Sequence, residues 1–595
     1  MDRPFVIVDA KRRFDSFSDG KMFAGKKRGR LPAMGWNRWN AFGSGNTEAL
    51  TKAMAERIVE LGLDKLGYRY VVLDDGCYRP ERVDGKLANE EMKFPSGFRA
   101  LSDYIHSKGL KFGMYNDIGT NLCAGAAVGT CGHEAEDARS YVSWGVDFLK
   151  VDNCYYLWDN ATFSNAENAR YTYAPRIREV SISGNGKEFL FTAEEDGVLF
   201  GRGVEIRNGY ATNIGTFDGT GPDHTPVGEM SGELRFVCNV ESEGRYALKL
   251  EYATGRESGV GEWLQLAVDH EGGTEYFYDD LLPQTEGTEA FVRSGEIGIR
   301  LWKGKNIIRL MNHRRQENTL CSYATLLDEI YKISGTDELL LSICEWGKTQ
   351  PQNWGYKVGD SWRILNDITF QVGADGDPGH GAWESDYTPG VASQYNKAVV
   401  MDEFAGLEKG WNDPDMLMVG MDGLDMTMCR THFAMWCMMN SPLMLGLDLR
   451  RVQPGDELHR IISNAALIAL NQDPLGVQAK RVYSTAAQAQ PDKEYIRDND
   501  RVDILAKPLA DGSIAVAFFN LSGHEWEEKL SISLDRVLSC IGSRLPEEER
   551  FRSAAEYVLT DLWSSEESVI SGKEISAEAL EPHGNVCCRI RPVSA

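Results

Sequence analysis

The sequence predicts an α/β protein: a (β/α)8 TIM barrel that carries an inserted β-sandwich and ends in an antiparallel β-sandwich domain. Three observations predict it. Short apolar strands alternate with amphipathic helices, and polar residues gather where the strands end. Midway the alternation gives way to Gly-rich β texture and then resumes. Near residue 480 the chain turns β-rich again and stays so to the end.

Residues 1–30 form a charged N-terminal extension without an apolar run of signal-peptide length, so the chain as given is expected to be cytoplasmic, or secreted if a leader was removed. The first part of the barrel spans 31–175. Tyr68–Leu73 reads as a buried strand ending at Asp74-Asp75, and Phe98–Lys108 as a helix. Leu110–Tyr115 is the next strand, Glu134–Trp144 the next helix, and Val146–Val151 a strand that ends at Asp152. Residues 176–320 change to period-two strands with turn residues between them, as in Gly232–Val240 and Arg245–Tyr252. A helical pattern resumes around Ser322–Ile333, and Leu339–Trp346 restores the barrel-strand texture, so 321–480 is the second part of the barrel. Insertion at a loop is tolerated when its ends lie close together. Residues 481–595 read as the C-terminal domain, with Asp511-Gly512 as a hairpin turn.

Charge excludes some functions. The chain of 595 residues has 64 Lys+Arg against 89 Asp+Glu, a net charge of −25. A nucleic acid or an anionic membrane needs a basic face, so neither is an expected partner. No stretch approaches the roughly 20 apolar residues of a membrane span. The twelve cysteines show no pair of CxxC hooks and read mainly as buried thiols, with Cys587 and Cys588 at a strand end.

Four acidic strand ends carry the chemistry: Asp74-Asp75, Asp117, Asp152 and Asp415. One Asp at a strand end is more often a helix cap. Four in one barrel, interleaved with Trp36, Trp39, Trp346 and Trp411, point to a carbohydrate site, since indoles stack on sugar C–H faces and carboxylates accept from hydroxyls. Lys150 precedes Asp152 by two, so both leave the strand on one face, and the ammonium is expected to keep Asp152 ionised. Ten His without HxH or HExxH argue against a resident metal, and the lack of GxxxxGK[ST] argues against phosphate chemistry. No cofactor is expected.

In Met34-Gly-Trp-Asn-Arg-Trp-Asn, Leu73-Asp-Asp, Lys93-Phe-Pro-Ser-Gly and His106–Tyr115 the chain resembles glycoside hydrolase family 27, the α-galactosidases and α-N-acetylgalactosaminidases. The resemblance continues through Ser143–Cys154, Ser342-Ile-Cys-Glu-Trp-Gly and Ser361–Ile368 to Gly410–Leu417 and Asn471–Gln478, and so covers nearly the whole barrel. It implies a retaining exo-glycosidase that removes terminal α-D-galactosyl residues by double displacement through a covalent glycosyl-aspartate. The nucleophile would be Asp152 and the acid/base Asp367, a residue that pattern alone does not mark. Asp74 and Asp75 match the pair that holds the 4- and 6-hydroxyls of galactose. Trp39 matches a stacking Trp, and Tyr115, Lys150, Arg363, Asp415 and Met416 match pocket-lining positions. Cys344 and Trp346 fall at the sugar's 2-position. The resemblance also implies a bridge between Cys123 and Cys154, with two close thiols as the alternative in a reducing compartment.

Two features depart from the family. Gly76-Cys77-Tyr78 stands where the family has a Trp soon after the Asp pair. The insert is absent from the short members and resembles a carbohydrate-binding module; Trp263, Tyr276, Tyr278 and Trp302 are its candidate stacking residues, although each is more often core. The expected partner is a galactose-containing oligosaccharide or polysaccharide, and a homo-oligomer remains compatible with the sequence. The alternatives are an α-N-acetylgalactosaminidase, a β-L-arabinopyranosidase, or a sugar-binding barrel without catalysis. The last would have lost Asp152 or Asp367, and both are present.

Overall fold

The computed structural model describes residues 29–119, 121–154, 175–200, 204–214, 233–254, 262–271, 273–311, 314–347, 351–372, 379–386, 388–486 and 489–593. Eight parallel strands form one curled sheet. They are β1 (Met34–Asn37), β2 (Tyr70–Val72), β3 (Lys111–Asp117), β4 (Phe148–Asp152), β5 (Leu340–Cys344), β6 (Ser361–Arg363), β7 (Trp411–Asp413) and β8 (Leu443–Leu445). From β1 to β7 each pairs with its neighbour in chain order, and β8 returns to β1. A parallel bridge between Leu417 and Leu445 joins the chain just beyond β7 to β8 and closes the ring.

Alternation along each strand separates the barrel's interior from its helical jacket. In β4, Leu149 and Val151 are fully buried in the cluster shared with the helices. Phe148 turns the other way and joins Ala33, Val72, Leu340, Met416 and Met444 in a second cluster. Lys150 and Asp152 share the direction of Phe148 but sit nearer the C-terminal end of the strand, because successive side chains point to opposite faces. The floor of the barrel is therefore apolar and its mouth is charged. The jacket helices follow the same logic. In Gly97–Ser107, Phe98, Leu101 and Ile105 recur at helical spacing and are buried, while the opposite face is polar.

The chain leaves the barrel after β4. Residues from Arg176 to Met311 build two antiparallel sheets. One orders the strands Gly273–Leu282, Glu262–His270, Gly304–Met311, Glu233–Val240 and Val198–Phe200. The other centres on Arg176–Gly184 paired with Gly244–Ala253. Inward residues of both, among them Ile182, Leu234, Phe236, Leu250 and Leu310, form a core of their own. The barrel then resumes with the helix Arg314–Ser334, ahead of the boundary at 320 and of the helical start at Ser322 that the sequence suggested. Its first residues, Arg-Arg-Gln-Glu-Asn, are polar throughout, and so hid the helix from a search for apolar periodicity.

The C-terminal sheet orders the strands Lys480–Ser484, Val502–Pro508, Ile514–Asn520, Asn585–Pro592, Tyr557–Asp561 and Glu567–Ile570. Val502–Pro508 and Ile514–Asn520 are buried along their whole length. Leu505, Ala515, Ala517, Phe519 and Cys587 pack into the barrel's cluster. Ile504, Ala506, Val516, Phe518 and Cys588 pack into a separate cluster beyond the sheet. Cys587 and Cys588 lie within the strand rather than at its end, and they face opposite ways. Among the described residues no helix is long and apolar enough to cross a membrane.

Candidate active site

The acidic strand ends converge at the mouth. Asp117 and Asp152 are the last residues of β3 and β4 and lie opposite each other in register. Asp74 and Asp75 follow β2 after Leu73, and Asp415 follows β7 after Pro414. Lys150 Nζ donates to Asp74 Oδ2 at 2.9 Å and lies 4.0 Å from Asp152 Oδ1. Tyr115 Oη donates to Asp152 Oδ2 at 2.9 Å. Asn37 Nδ2 donates to Asp74 Oδ2 at 2.7 Å. Beneath the pair, the buried Arg38 donates to the main-chain carbonyls of Gly43, Asp74 and Asp75, which fixes the turn that presents both carboxylates.

Across the mouth Arg363, at the end of β6, is the organising cation. Its Nη2 lies 2.6 Å from Asp415 Oδ2 and 3.0 Å from Asp367 Oδ1. Trp346 Nε1 donates to the same Asp367 oxygen at 3.0 Å. Asp367 is the open member of the group, its side chain 48% exposed against 8% for Asp152. Asp415 also accepts from the Ile368 N–H at 2.8 Å, which ties it to the loop that carries Asp367. Asp415 and Trp346 both adopt left-handed backbone, at φ 77° and 56°. Non-glycine residues rarely do so, and such strain concentrates where side-chain direction matters. The turn after Trp346 needs Gly347, because a Cβ there would lie 2.4 Å from the Ile364 carbonyl oxygen.

Burial and charge set the protonation of the site. Burial works to raise the Asp74 carboxyl, but Lys150, Arg38 and Asn37 outweigh it and hold it below its ordinary value. Asp75 is raised by burial, which outweighs the N–H groups of Ala124 and Gly76 and the more weakly acting Arg38. Burial opposes the charge on Lys150, yet Asp152 and Asp74 hold that ammonium well above its ordinary value. Burial likewise opposes Arg363, and Asp415, Cys344 and Asp367 outweigh it. Asp152 differs from expectation. Burial pushes it up to about 7 despite Lys150, with Asp74 and Asp367 adding to the rise. Sharing explains this: the ammonium sits closer to Asp74 than to Asp152. The one-strand argument for an ionised Asp152 saw Lys150 but not its competitor from β2.

Other expectations meet the structure unevenly. Cys344 is buried beside Asp152 and lies 3.6 Å from Arg363 Nη1. Trp39 is half-buried and packs, like Met416, with the barrel's inner cluster. Trp36 and Trp411 leave the mouth altogether. Trp36 is fully buried and donates to the Leu447 carbonyl, and Trp411 donates to the Arg30 carbonyl. Trp36 sits one residue off the parity that faces inward. Cys77 and Tyr78 are also buried, with Tyr78 Oη donating to the Tyr115 carbonyl, so they add no wall to the mouth. Cys123 and Cys154 are joined in a disulfide with Cα atoms 5.2 Å apart. Sequence reasoning missed Asn37, Arg38 and Asp413. The last is half-buried, its carboxyl lifted to about 6 by desolvation, and it accepts from the Asp415 N–H at 2.8 Å. All three lie inside motifs already singled out, where spacing from Trp39 and Asp415 could have marked them.

In the insert, the side chains of Trp263, Tyr276 and Tyr278 lie outside the described residues. Trp302 is half-buried and stacked on His270 at 3.7 Å, with Arg300 5.2 Å from its ring, so neighbours already occupy its faces.

The alpha galactosidase A family model matches residues 31–180 and 382–473, and the model of the alpha galactosidase C-terminal beta sandwich domain matches 499–590. Together they take in more than half of the chain, in the order of the barrel and the C-terminal sheet. The chain belongs to the α-galactosidase family, glycoside hydrolase family 27. This family 27 chain is a glycoside hydrolase. An alpha-galactosidase of Cyamopsis tetragonoloba is 28% identical over 92% of this chain and 84% of its own length. Alpha-galactosidase A of Cellvibrio japonicus is 26% identical over 95% of this chain and 92% of its own. The structure of an alpha-galactosidase from Saccharomyces cerevisiae with raffinose superposes with a TM-score of 0.58 at 20% identity, covering 95% of this chain and 98% of that one. That likeness carries the fold alone. The matched spans hold Asp74, Asp75, Lys150, Asp152 and Asp415. Cys344, Trp346, Arg363 and Asp367 fall between them, so the family 27 identity and the position of Asp367 rest on separate observations.

Proposed function

We propose that this family 27 hydrolase removes terminal α-D-galactosyl residues by double displacement, with Asp152 as nucleophile and Asp367 as acid/base. One observation carries the reading: two carboxyl groups in opposite environments share the mouth. Asp152 is deeply buried among Tyr115, Lys150 and Cys344. Asp367 is half-exposed on the opposite side, steered by Arg363 and Trp346. A retaining enzyme needs such a pair, one carboxylate enclosed against the anomeric carbon and one acid facing the departing group and water. Ionised Asp152 attacks and forms a glycosyl ester, while Asp367 protonates the leaving oxygen. Asp367 then takes a proton from water, which cleaves the ester. Lys150 and Tyr115 are positioned to stabilise the carboxylate as it is released.

Selectivity for galactose is supported by Asp74 and Asp75. Asp74 is the ionised acceptor of the pair, held open-handed by Lys150 and Asn37, and an axial hydroxyl needs an acceptor fixed for it. The similar chains of Cyamopsis tetragonoloba and Cellvibrio japonicus, both alpha-galactosidases, support the same reading. A fluorinated galactoside that traps the glycosyl-enzyme tests the assignment. Peptide mapping should find the label on Asp152, and a label on any other residue overturns it. Asp367→Ala should depress hydrolysis of galactosides with poor leaving groups far more than that of activated aryl galactosides, which leave unprotonated. Faster hydrolysis of an α-N-acetylgalactosaminide or a β-L-arabinopyranoside than of the galactoside would move the activity within the family.

A further inference from the structure

Behind Asp152 the barrel brings together donors of two kinds. A carboxylate oxygen of Asp117, Cys123 Sγ and Cys154 Sγ all lie within 4.8 Å of one another, and Cys123 Sγ is 4.0 Å from Asp117 Oδ2. Cys123 Sγ is also 3.2 Å from Asp152 Oδ2. The Asp117 carboxylate is already oriented, with Gly119 N–H donating to Oδ1 and Cys154 N–H to Oδ2, both at 2.6 Å. These ligands come from the end of β3, the loop beyond it and the end of β4, which is why no sequence spacing announced them. While the sulfurs are bonded to each other they carry no charge and no proton, and they cannot act as strong ligands. As thiols they would offer two soft donors beside two carboxylates. A two-sulfur, two-oxygen set suits a tetrahedral, thiophilic cation of the Zn2+ type, and the hydrogen bonds that fix Asp117 are those that orient a ligand.

We infer that reduction of the Cys123–Cys154 bond opens a site for a thiophilic divalent cation, formed by Cys123, Cys154, Asp117 and Asp152, and that a bound cation withdraws Asp152 from catalysis. The first step consumes a dithiol reductant. Two electrons and two protons pass to the disulfide, its S–S bond breaks, two thiols form, and the reductant becomes a disulfide. The cation then forms two metal–sulfur bonds and the two thiol protons go to water. Lys150, 4.0 Å from Asp152, lies close enough to offset part of the negative charge that two thiolates and two carboxylates gather. Exchange with a small-molecule disulfide reverses both steps: the two thiolates re-form their S–S bond, two electrons pass to that disulfide, its S–S bond breaks to give two thiols with protons from water, and the ion is released. The inhibitory half of the inference rests on Asp152 being the nucleophile; the binding half does not.

The test uses the full chain and two metals. Protein reduced with a phosphine and desalted without oxygen is titrated with Co2+, beside the oxidised protein. The oxidised control is essential, because the other described thiols are present in both forms. The reduced form should bind one further equivalent, with a thiolate-to-cobalt charge-transfer band that the oxidised form lacks. Zn2+ should displace the cobalt and abolish hydrolysis of an aryl galactoside, a chelator should restore it, and the oxidised enzyme should keep its activity at the same Zn2+. Asp117→Asn should weaken cobalt binding by about 10–100-fold. No additional band on reduction overturns the site, as does loss of the native near-ultraviolet circular dichroism when the bond is reduced. A band with hydrolysis intact overturns the inhibitory half. An oxidised enzyme with no activity on galactosides would instead sink the proposed function and leave the cobalt result standing.

Discussion

Replacing Asp152 by Asn should stabilise the fold at neutral pH and above while it abolishes turnover. Folding lifts this carboxyl from an ordinary 3.8 to about 7, with burial the largest cause. The folded state therefore keeps the proton over a range in which the unfolded chain has released it. The sign follows: the contribution to stability is complete below about pH 4 and is lost as pH rises through about 7. Roughly three pKa units at about 1.36 kcal/mol each bound the loss at about 4 kcal/mol. An amide is neutral at every pH and keeps an acceptor for Tyr115 Oη, so it escapes that loss; relaxation around the charge leaves an expected gain of about 1–2 kcal/mol at pH 8. Calorimetry on both proteins from pH 4 to pH 8 reads it, because every other titrating group is common to the pair. The gap between their melting temperatures should open between about pH 4 and 7, level off above that, and reach about 1–2 °C. A gap that does not widen with pH, or a variant that melts below the parent at pH 8, refutes the argument that burial outweighs Lys150.

The same carboxyl should shape the pH profile: kcat/KM should climb as pH rises through about 7, because the nucleophile must be ionised in the free enzyme. An acid limb near pH 4 would mean that Lys150 serves Asp152 more than Asp74. Trp436→Phe should raise KM more than it lowers kcat. Trp436 Nε1 donates to the Asp415 carbonyl at 2.8 Å and so holds the left-handed turn that aims Asp415 at Arg363; stranding that buried carbonyl costs about 1–3 kcal/mol. Steady-state kinetics with KM unchanged would assign Trp436 to packing alone. Excising the insert between β4 and the helix Arg314–Ser334, with a short Gly/Ser linker, should spare hydrolysis of an aryl galactoside and raise KM for a galactose-bearing polymer. Equal losses on both substrates would make the insert a wall of the pocket, and no change would make it a spacer.

Much of the barrel was legible because its signals are local. Strand β4 reads directly as apolar residues ending in Asp152, and Lys150 two positions earlier had to share its face, since side chains alternate along a strand. The hairpin at Asp511-Gly512 was likewise local, and Gly512 adopts φ 78° there. What the sequence could not settle was which partner each charge keeps. Lys150 answers to Asp74 as well as Asp152, from strands far apart in the chain, and that division makes Asp152 a raised carboxyl rather than a simple ion. Trp36 and Trp411 look like mouth residues in one dimension and are core in three, because a single step of register reverses the direction of a side chain. The C-terminal strands buried on both faces are the same case: Leu505 and Ile504 are equally apolar in sequence, and only docking of the sheet against the barrel gives each a different core. By itself the sequence determined the chain order of β2 to β5 and the acidic residues at the ends of β2, β3 and β4, since these follow from periodicity and chain order. Tertiary structure alone decided how burial and shared cations divide the charge at the mouth, because electrostatic energy depends on distances in space that no spacing along the chain encodes.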